Sequence, residues 1–214
     1  MGLRRTLHLV DDEEAIRKSA GFMLKTSGFA VETYPSGVAF LKAVRTAELG
    51  CILLDVRMPE MDGLEVQQAL TDQGITMPVI VLTGHGDVSI AVRAMKAGAV
   101  DFLEKPFEKA TLLRAIEEAF ARLHDGNVHS VRASEAAVRI AALTAREQDV
   151  LKGLAQGYPN KTIAYDLDIS PRTVEVHRAN LMSKLGVHSL SDALRIAFAA
   201  GLGDTPDANI GVIT

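Results

Sequence analysis

Across its first 124 residues this sequence alternates short apolar runs with stretches of helical period, five times over. The strand candidates are Thr6–Val10, Ala30–Tyr34, Cys51–Leu54, Val79–Leu82 and Asp101–Leu103. Ile52-Leu53-Leu54 and Val79-Ile80-Val81-Leu82 are apolar without a break, as strands covered on both faces must be. Helical patterns lie between the runs, near Glu14–Ser27, Ser36–Arg45, Leu64–Gln73 and Val88–Ala97. A fifth follows, in which Leu112, Leu113, Ile116, Ala119, Phe120 and Leu123 recur at helical spacing. Repeated βα units with right-handed crossovers produce a parallel sheet with helices on both sides. Residues 1–124 are therefore expected to form an α/β domain, a doubly wound five-stranded parallel sheet of flavodoxin-like type.

Beyond His124 the apolar period is lost around Asp125-Gly126-Asn127, so residues 125–142 read as a linker, with the alanine-rich stretch from Ser134 able to resume a helix. From Leu143 the pattern is helical with short turns. Thr144 and Glu147 form a capping-box signature, and Gly157 ends that helix. Lys161–Leu167 is a second helix. Ser170 and Pro171 open a third, which Gly186 ends, and Leu190–Ala200 is a fourth. Residues 143–203 are thus expected to be an all-α four-helix domain, and 204–214 a flexible tail.

Composition removes several alternatives. Apolar residues make up 48% and charged residues 23%, which excludes wholesale disorder. A formal charge of −4 excludes a basic coat over the whole surface, although not a local patch. The single cysteine, Cys51, cannot form an intrachain disulfide and reads as a small buried hydrophobe, which suits a reducing compartment. Only Thr6–Val10 separates Arg4 and Arg5 from the acidic run Asp11–Glu14, so no signal-peptide core fits. No apolar run approaches the roughly 18 residues of a membrane span. A cytoplasmic protein without membrane contact is the expectation.

In an open α/β sheet, ligands bind beyond the carboxyl ends of the strands. Asp11 and Asp12 follow the first strand, Asp55 the third, Thr83 the fourth and Lys105 the fifth. Three clustered carboxylates repel one another and require a cation, and hard oxygen ligands favour Mg²⁺. A lysine and a threonine hydroxyl beside that ion supply the charge and the hydrogen bond that a phosphoryl group needs. A carboxylate is also a feasible nucleophile toward phosphorus, giving an acyl phosphate. Taken singly, Glu13 and Glu14 read as solvated loop-end acids. Glu60 and Asp62 read as turn acids, with Gly63 supplying turn geometry. His85 and Arg57 belong to the same loop edge, where tuning of phosphate hydrolysis and plain solvation are both open. Phe102, at a strand position, reads by default as core or edge packing.

This constellation, together with Asp55-Val-Arg-Met-Pro-x-Met-Asp-Gly63 and Glu104-Lys105-Pro106, resembles the receiver domain of two-component response regulators over about residues 6–124. The resemblance implies that Asp55 accepts a phosphoryl group from a sensor histidine kinase. Asp12, Asp55 and the carbonyl of Arg57 would coordinate Mg²⁺, with Asp11 assisting through water. Lys105 would pair with phosphoryl oxygens, its peptide bond to Pro106 being cis. Thr83 would swing toward the phosphate, Phe102 would turn inward with it, and Gly84 would leave the path open.

In the helical domain, Lys161 to Arg178 places a short helix, a tight turn and a longer helix in succession, the helix-turn-helix arrangement whose second helix enters a major groove. At 100° per residue, Val174, Leu181 and Leu185 share a core face. Val176 and Ala179 point away from it, with Arg172 and Ser183 beside them and Glu175 on the flank. Apolar Val176 and Ala179 suit thymine methyls, and Glu175 can accept from cytosine N4. Lys161, Arg172, Thr173, His177, Arg178 and Lys184 are candidate phosphate contacts, which position without specifying. From Pro159 to Gly186, Lys161, Arg172, Arg178 and Lys184 outnumber Asp166, Asp168 and Glu175 by one, a thin footprint for a single copy and a better one for a dimer. Without further information, a small bundle that binds protein is the competing reading. Leu143-Thr-Ala-Arg-Glu147, Asn160-Lys-Thr-Ile-Ala164 and Ser170 through Gly186 resemble the LuxR-type helix-turn-helix over roughly residues 143–201.

With the receiver, this is the pattern of the NarL/FixJ class of response regulators, FixJ-like branch. The resemblance implies bases read at Glu175, Val176 and Ala179, double-stranded promoter DNA as partner, RNA polymerase as a further candidate partner, and Leu190–Ala200 as a dimerisation helix. It also implies a homodimer when phosphorylated, through Val92, Arg93, Lys96, Asp101 and Glu104, with Arg93 and Lys96 facing Asp101 and Glu104 across a two-fold axis. A Mg²⁺ phosphatase is the rival from another class. Such enzymes carry a second aspartate two residues after the nucleophile, where Arg57 stands, so no enzyme of external substrates is expected. A repressor with a silent receiver is a third reading.

Overall fold

The computed structural model describes residues 5–84, 88–124 and 129–203. They divide into two compact units. The N-terminal part runs β1 (Thr6–Val10), α1 (Glu14–Thr26), β2 (Ala30–Tyr34), α2 (Gly37–Ala43), β3 (Gly50–Asp55), α3 (Gly63–Asp72), β4 (Val79–Thr83), α4 (Val88–Lys96), β5 (Asp101–Glu104) and α5 (Lys109–His124). All strand pairs are parallel, and the sheet order is β2-β1-β3-β4-β5. That order reverses between β1 and β3, which opens a crevice where Asp11 and Asp55 lie.

Strand alternation supplies two cores. Leu7, Leu9, Cys51, Leu53, Ile80 and Leu82 pack with Leu24 of α1 and with Leu112, Ile116 and Ala119 of α5. Each such leucine or isoleucine contributes about 1.5–3 kcal/mol of transfer free energy. The intervening Val10, Ile52, Leu54 and Val81 are also fully buried, as is Phe40 of α2. Asp55, Thr83 and Glu104 are the last residues of their strands rather than the first residues after them, because the ladder runs on: the Val56 N–H donates to Leu82 O and the Lys105 N–H to Thr83 O. These polar residues inherit the rigidity of the sheet.

The C-terminal part is helical: α6 (His129–Ala141), α7 (Ala145–Ala155), α8 (Asn160–Asp166), α9 (Pro171–Leu185) and α10 (Leu190–Ala199). Among the described residues five helices stand here, the four expected and one in the segment read as a linker able to resume a helix. The added one is α6, which occupies most of the segment read as a linker and packs on α10 with Ala136 buried. Val150, Leu151, Leu154, Ile163, Val174, Leu181, Leu185, Leu194 and Ala197 form the buried apolar set. Start signals hold in detail. Ser170 Oγ accepts from the Thr173 N–H, and Gly186 at φ 64° closes α9 in the left-handed conformation that glycine tolerates. The expected tail, 204–214, and His85 lie outside the described residues. No described helix is long and apolar enough to cross a membrane.

Candidate functional site

The acidic edge is assembled by three strands and one long cation. Asp11 is fully buried: its N–H donates to Tyr34 O, Oδ1 accepts from the Glu13 N–H at 2.9 Å, and Oδ2 lies 2.7 Å from Lys105 Nζ. Asp55, 5% exposed, accepts from the same ammonium through Oδ1 at 2.6 Å. Burial raises the Asp55 carboxyl above its ordinary range; Lys105 offsets part of that rise, while the charge of Asp11 adds to it and a backbone bond from Arg57 opposes it. Burial alone would lower the Lys105 ammonium, but its two carboxylate partners outweigh this and hold it above the usual lysine value. Two carboxylates around one ammonium leave a net negative charge in a largely buried crevice, an environment that attracts a further cation.

Thr83 is buried at the end of β4, and the Lys105–Pro106 bond is cis, as the resemblance implies. A Cβ added at Gly84 meets nothing within 4 Å, so packing does not require glycine there. Phe102 is half-buried on edge strand β5. Asp12 and Arg57 are exposed beside the crevice. Among the described residues, no group of three or more acidic, histidine or cysteine side chains is gathered as a ready metal site. The donor set still fits a hard divalent ion: the Asp11 and Asp55 carboxylates are drawn together by an ammonium, and Asp12 follows Asp11 in sequence.

Two residues read as turn elements act differently. Asp62 caps α3 in a full capping box with Glu65. Gly63 is required by close approach, since a Cβ there would stand 2.2 Å from Asp55 O, while its N–H donates to Val56 O at 2.9 Å. The start of α3 is therefore pressed against the backbone of Asp55. Glu60, at φ 67°, takes the left-handed turn position.

The expected dimer face is only partly available. Arg93, Lys96 and Glu104 are exposed, but Asp101 is buried and its Oδ1 accepts from the Phe102 N–H. A strand-borne aspartate at full burial cannot meet a cation on another molecule.

On α9, Arg172, Glu175, Val176 and Ala179 are exposed, with Val176 at 53%, and Lys161 of α8 is exposed as well. Three expected phosphate contacts are otherwise engaged. Lys184 Nζ lies 2.7 Å from buried Glu147 Oε2, Arg178 Nη1 donates to Asn160 Oδ1 at 3.0 Å, and Thr173 Oγ1 lies 2.8 Å from Ser170 Oγ in the cap. His177 is half-buried. Glu147 is pulled down to about 2 by Lys184 first and by the Thr144 N–H second. Asn180 was not singled out by sequence, yet it is exposed one helical turn after Val176; i,i+4 spacing would have found it. In α10, Ala193, Leu194 and Ala197 are buried in the domain core, and Ile196 and Phe198 are half-buried.

The chain matches the response regulator receiver domain family over residues 7–117 and the luxR family of bacterial regulatory proteins over residues 141–197. It is 50% identical over 198 residues to the transcriptional regulatory protein FixJ of Rhizobium meliloti strain 1021, covering 92% of this chain and 97% of that protein. This chain is a response regulator of the NarL/FixJ family. It is also 43% identical over 190 residues to the response regulator protein TodT of Pseudomonas putida strain F1, covering 89% and 84% of the two chains. Among solved structures it is similar to full-length FixJ from B. japonicum, at TM-score 0.56 and 44% identity over 94% of this chain and 98% of that one. As a NarL/FixJ regulator it joins a receiver to a LuxR-type DNA-binding domain, within a family of transcription regulators.

Proposed function

We propose that Asp55 is the phosphoacceptor through which a sensor histidine kinase controls promoter binding by the helical domain. The observation that carries this reading is the geometry at Asp55: a 5% exposed carboxylate at the sheet's switch point, 2.6 Å from an ammonium that also bonds Asp11. One oxygen of Asp55 attacks phosphorus, the bond from phosphorus to the donor imidazole nitrogen breaks, and that nitrogen leaves with the electron pair. Asp11, Asp12, Asp55 and the Arg57 carbonyl would hold Mg²⁺, which neutralises phosphoryl charge when bound. Lys105 is then free to pair with phosphoryl oxygens, and Thr83, one residue beyond Asp55's partner Leu82 on the neighbouring strand, supplies a hydroxyl donor. Phe102, half-buried on β5, is suited to turn inward with Thr83.

Phosphorylation remodels the surface of α4 and β5, and two chains associate there. Arg93, Lys96 and Glu104 carry the contact with Val92 beside them, and Asp101 is buried. Two tethered helical domains then bind two half-sites with an effective concentration that a monomer lacks. Exposed Val176, Ala179 and Glu175 read base edges, and Arg172 and Lys161 meet phosphates. A DNA-binding selection on the full chain, run with and without acetyl phosphate, tests this reading. A recovered two-fold-symmetric duplex site enriched by the donor in wild type, and not in Asp55→Asn, is expected. Equal enrichment in the variant contradicts it.

A further inference from the structure

The geometry points to Arg17 as a positioning residue that sets the main chain carrying Asp12, and through it the affinity of the acidic edge for Mg²⁺; this rests on the phosphoacceptor reading above. Arg17 stands in the first turn of α1, where the helix dipole favours anions and disfavours a cation. Its location is explained by what it touches: Nη1 donates to the carbonyl oxygen of Asp11 at 2.7 Å. That is the one side-chain hydrogen bond of Arg17 among the described residues.

With it, Asp11 is held at every polar atom. Its N–H is spent on Tyr34 O, its carboxylate on the Glu13 N–H and Lys105, and its carbonyl on Arg17. The Asp11 carbonyl lies in the peptide plane that leads into Asp12, so fixing that oxygen fixes the direction from which Asp12 departs. The N–H and Oδ2 anchors locate Asp11 itself, the Glu13 N–H closes a turn around Asp12 from its far side, and Arg17 holds the Asp11–Asp12 peptide from the near side. Its guanidinium also brings a positive charge to the Asp11 carbonyl while leaving every carboxylate oxygen of Asp12 available.

The test is a titration of the full chain with Mg²⁺ alone, followed by amide shifts at Asp12 and Asp55. Arg17→Met keeps the stem and removes the donor; Arg17→Gln removes the charge with a polar replacement; Arg17→Lys keeps a cationic donor for the same carbonyl. Loss of an outer anchor of this kind weakens metal binding about tenfold or more. Expected are a dissociation constant about tenfold higher in Arg17→Met and Arg17→Gln, and recovery to within about threefold in Arg17→Lys. The inference is overturned if wild type titrates and both neutral variants match it, or if Arg17→Lys is as weak as they are. If wild type itself shows no Mg²⁺-dependent shifts at these residues, the phosphoacceptor reading fails first.

Discussion

At the sheet edge, Lys105 reaches into two buried carboxylates; on α9, Lys184 and Arg178 reach back into their own domain, to Glu147 and Asn160. Both regions contain cations of the type their expected ligand demands. In the first, strand ends fix every backbone from which the groups project, so residue type and position together decide the geometry. In the second, long side chains on a helix surface have a choice of partners. A buried acid within reach outcompetes solvent, because an unpaired buried carboxylate is expensive. Lys184, paired with Glu147, thus adds less charge toward DNA than composition suggests, whereas Arg178, bonded to the neutral Asn160 amide, keeps its own.

The largest effect that would break this contrast is at Lys105. Arg or Lys removal from a buried cluster leaves uncompensated charge, so Lys105→Met should cost the receiver about 3–5 kcal/mol at pH 7, read by urea unfolding. A cost near zero would mean the crevice is better solvated than its burial implies. Next is Glu147→Gln, which removes a charged acceptor shared by Lys184 and the Thr144 N–H and should cost about 1.5–3 kcal/mol. Its pH dependence has a definite sign. Glu147 is depressed in the folded domain to about 2 from an ordinary 4.5, so its contribution is complete above about 4.5 and disappears as pH falls through about 2. Wild type and Glu147→Gln should therefore converge across that window.

The contrast is sharpened by paired substitutions on α9. Arg172→Ala should weaken duplex binding and lower the slope of log affinity against log salt by about one, as loss of a phosphate contact does. Lys184→Met should leave that slope unchanged and lower the melting temperature of the helical domain instead. Fluorescence anisotropy across a salt series distinguishes the two. The smallest effect is at Val176, where trimming to alanine should cost about 1 kcal/mol of binding, confined to sites that present a thymine methyl.

The five strands and the capped helices were legible because their signals are local: unbroken apolar runs, Thr144 with Glu147, Ser170 with Pro171, and Gly186. Of α6 only the alanine-rich stretch from Ser134 was legible as able to resume a helix; its start and its packing were not, since alanines supply helix propensity but little apolar contrast, and its partner α10 lies some fifty residues later. At the acidic edge, residue types in register led to Asp11, Asp55 and Lys105, which the structure joins through one ammonium, and to Thr83, which it places buried at the end of β4. The need for Gly63 escaped because it comes from an atom of Asp55 rather than from a turn. Arg17 escaped because a carbonyl partner leaves no trace in side-chain patterning. The burial of Asp101 and the internal bonds of Lys184 and Arg178 depend on tertiary packing, which an exposed-looking charge on a strand or helix does not reveal.

The most direct measurement is chemical mapping of the phosphoryl group. Full-length protein is incubated with acetyl phosphate and Mg²⁺, trapped with borohydride, which converts an aspartyl phosphate to homoserine, and sequenced by mass spectrometry. Homoserine at residue 55, absent when Mg²⁺ is withheld and absent from Asp55→Asn, is the predicted result. Modification at Asp11 or Asp12 in place of Asp55, or an unmodified chain under saturating donor, would contradict it.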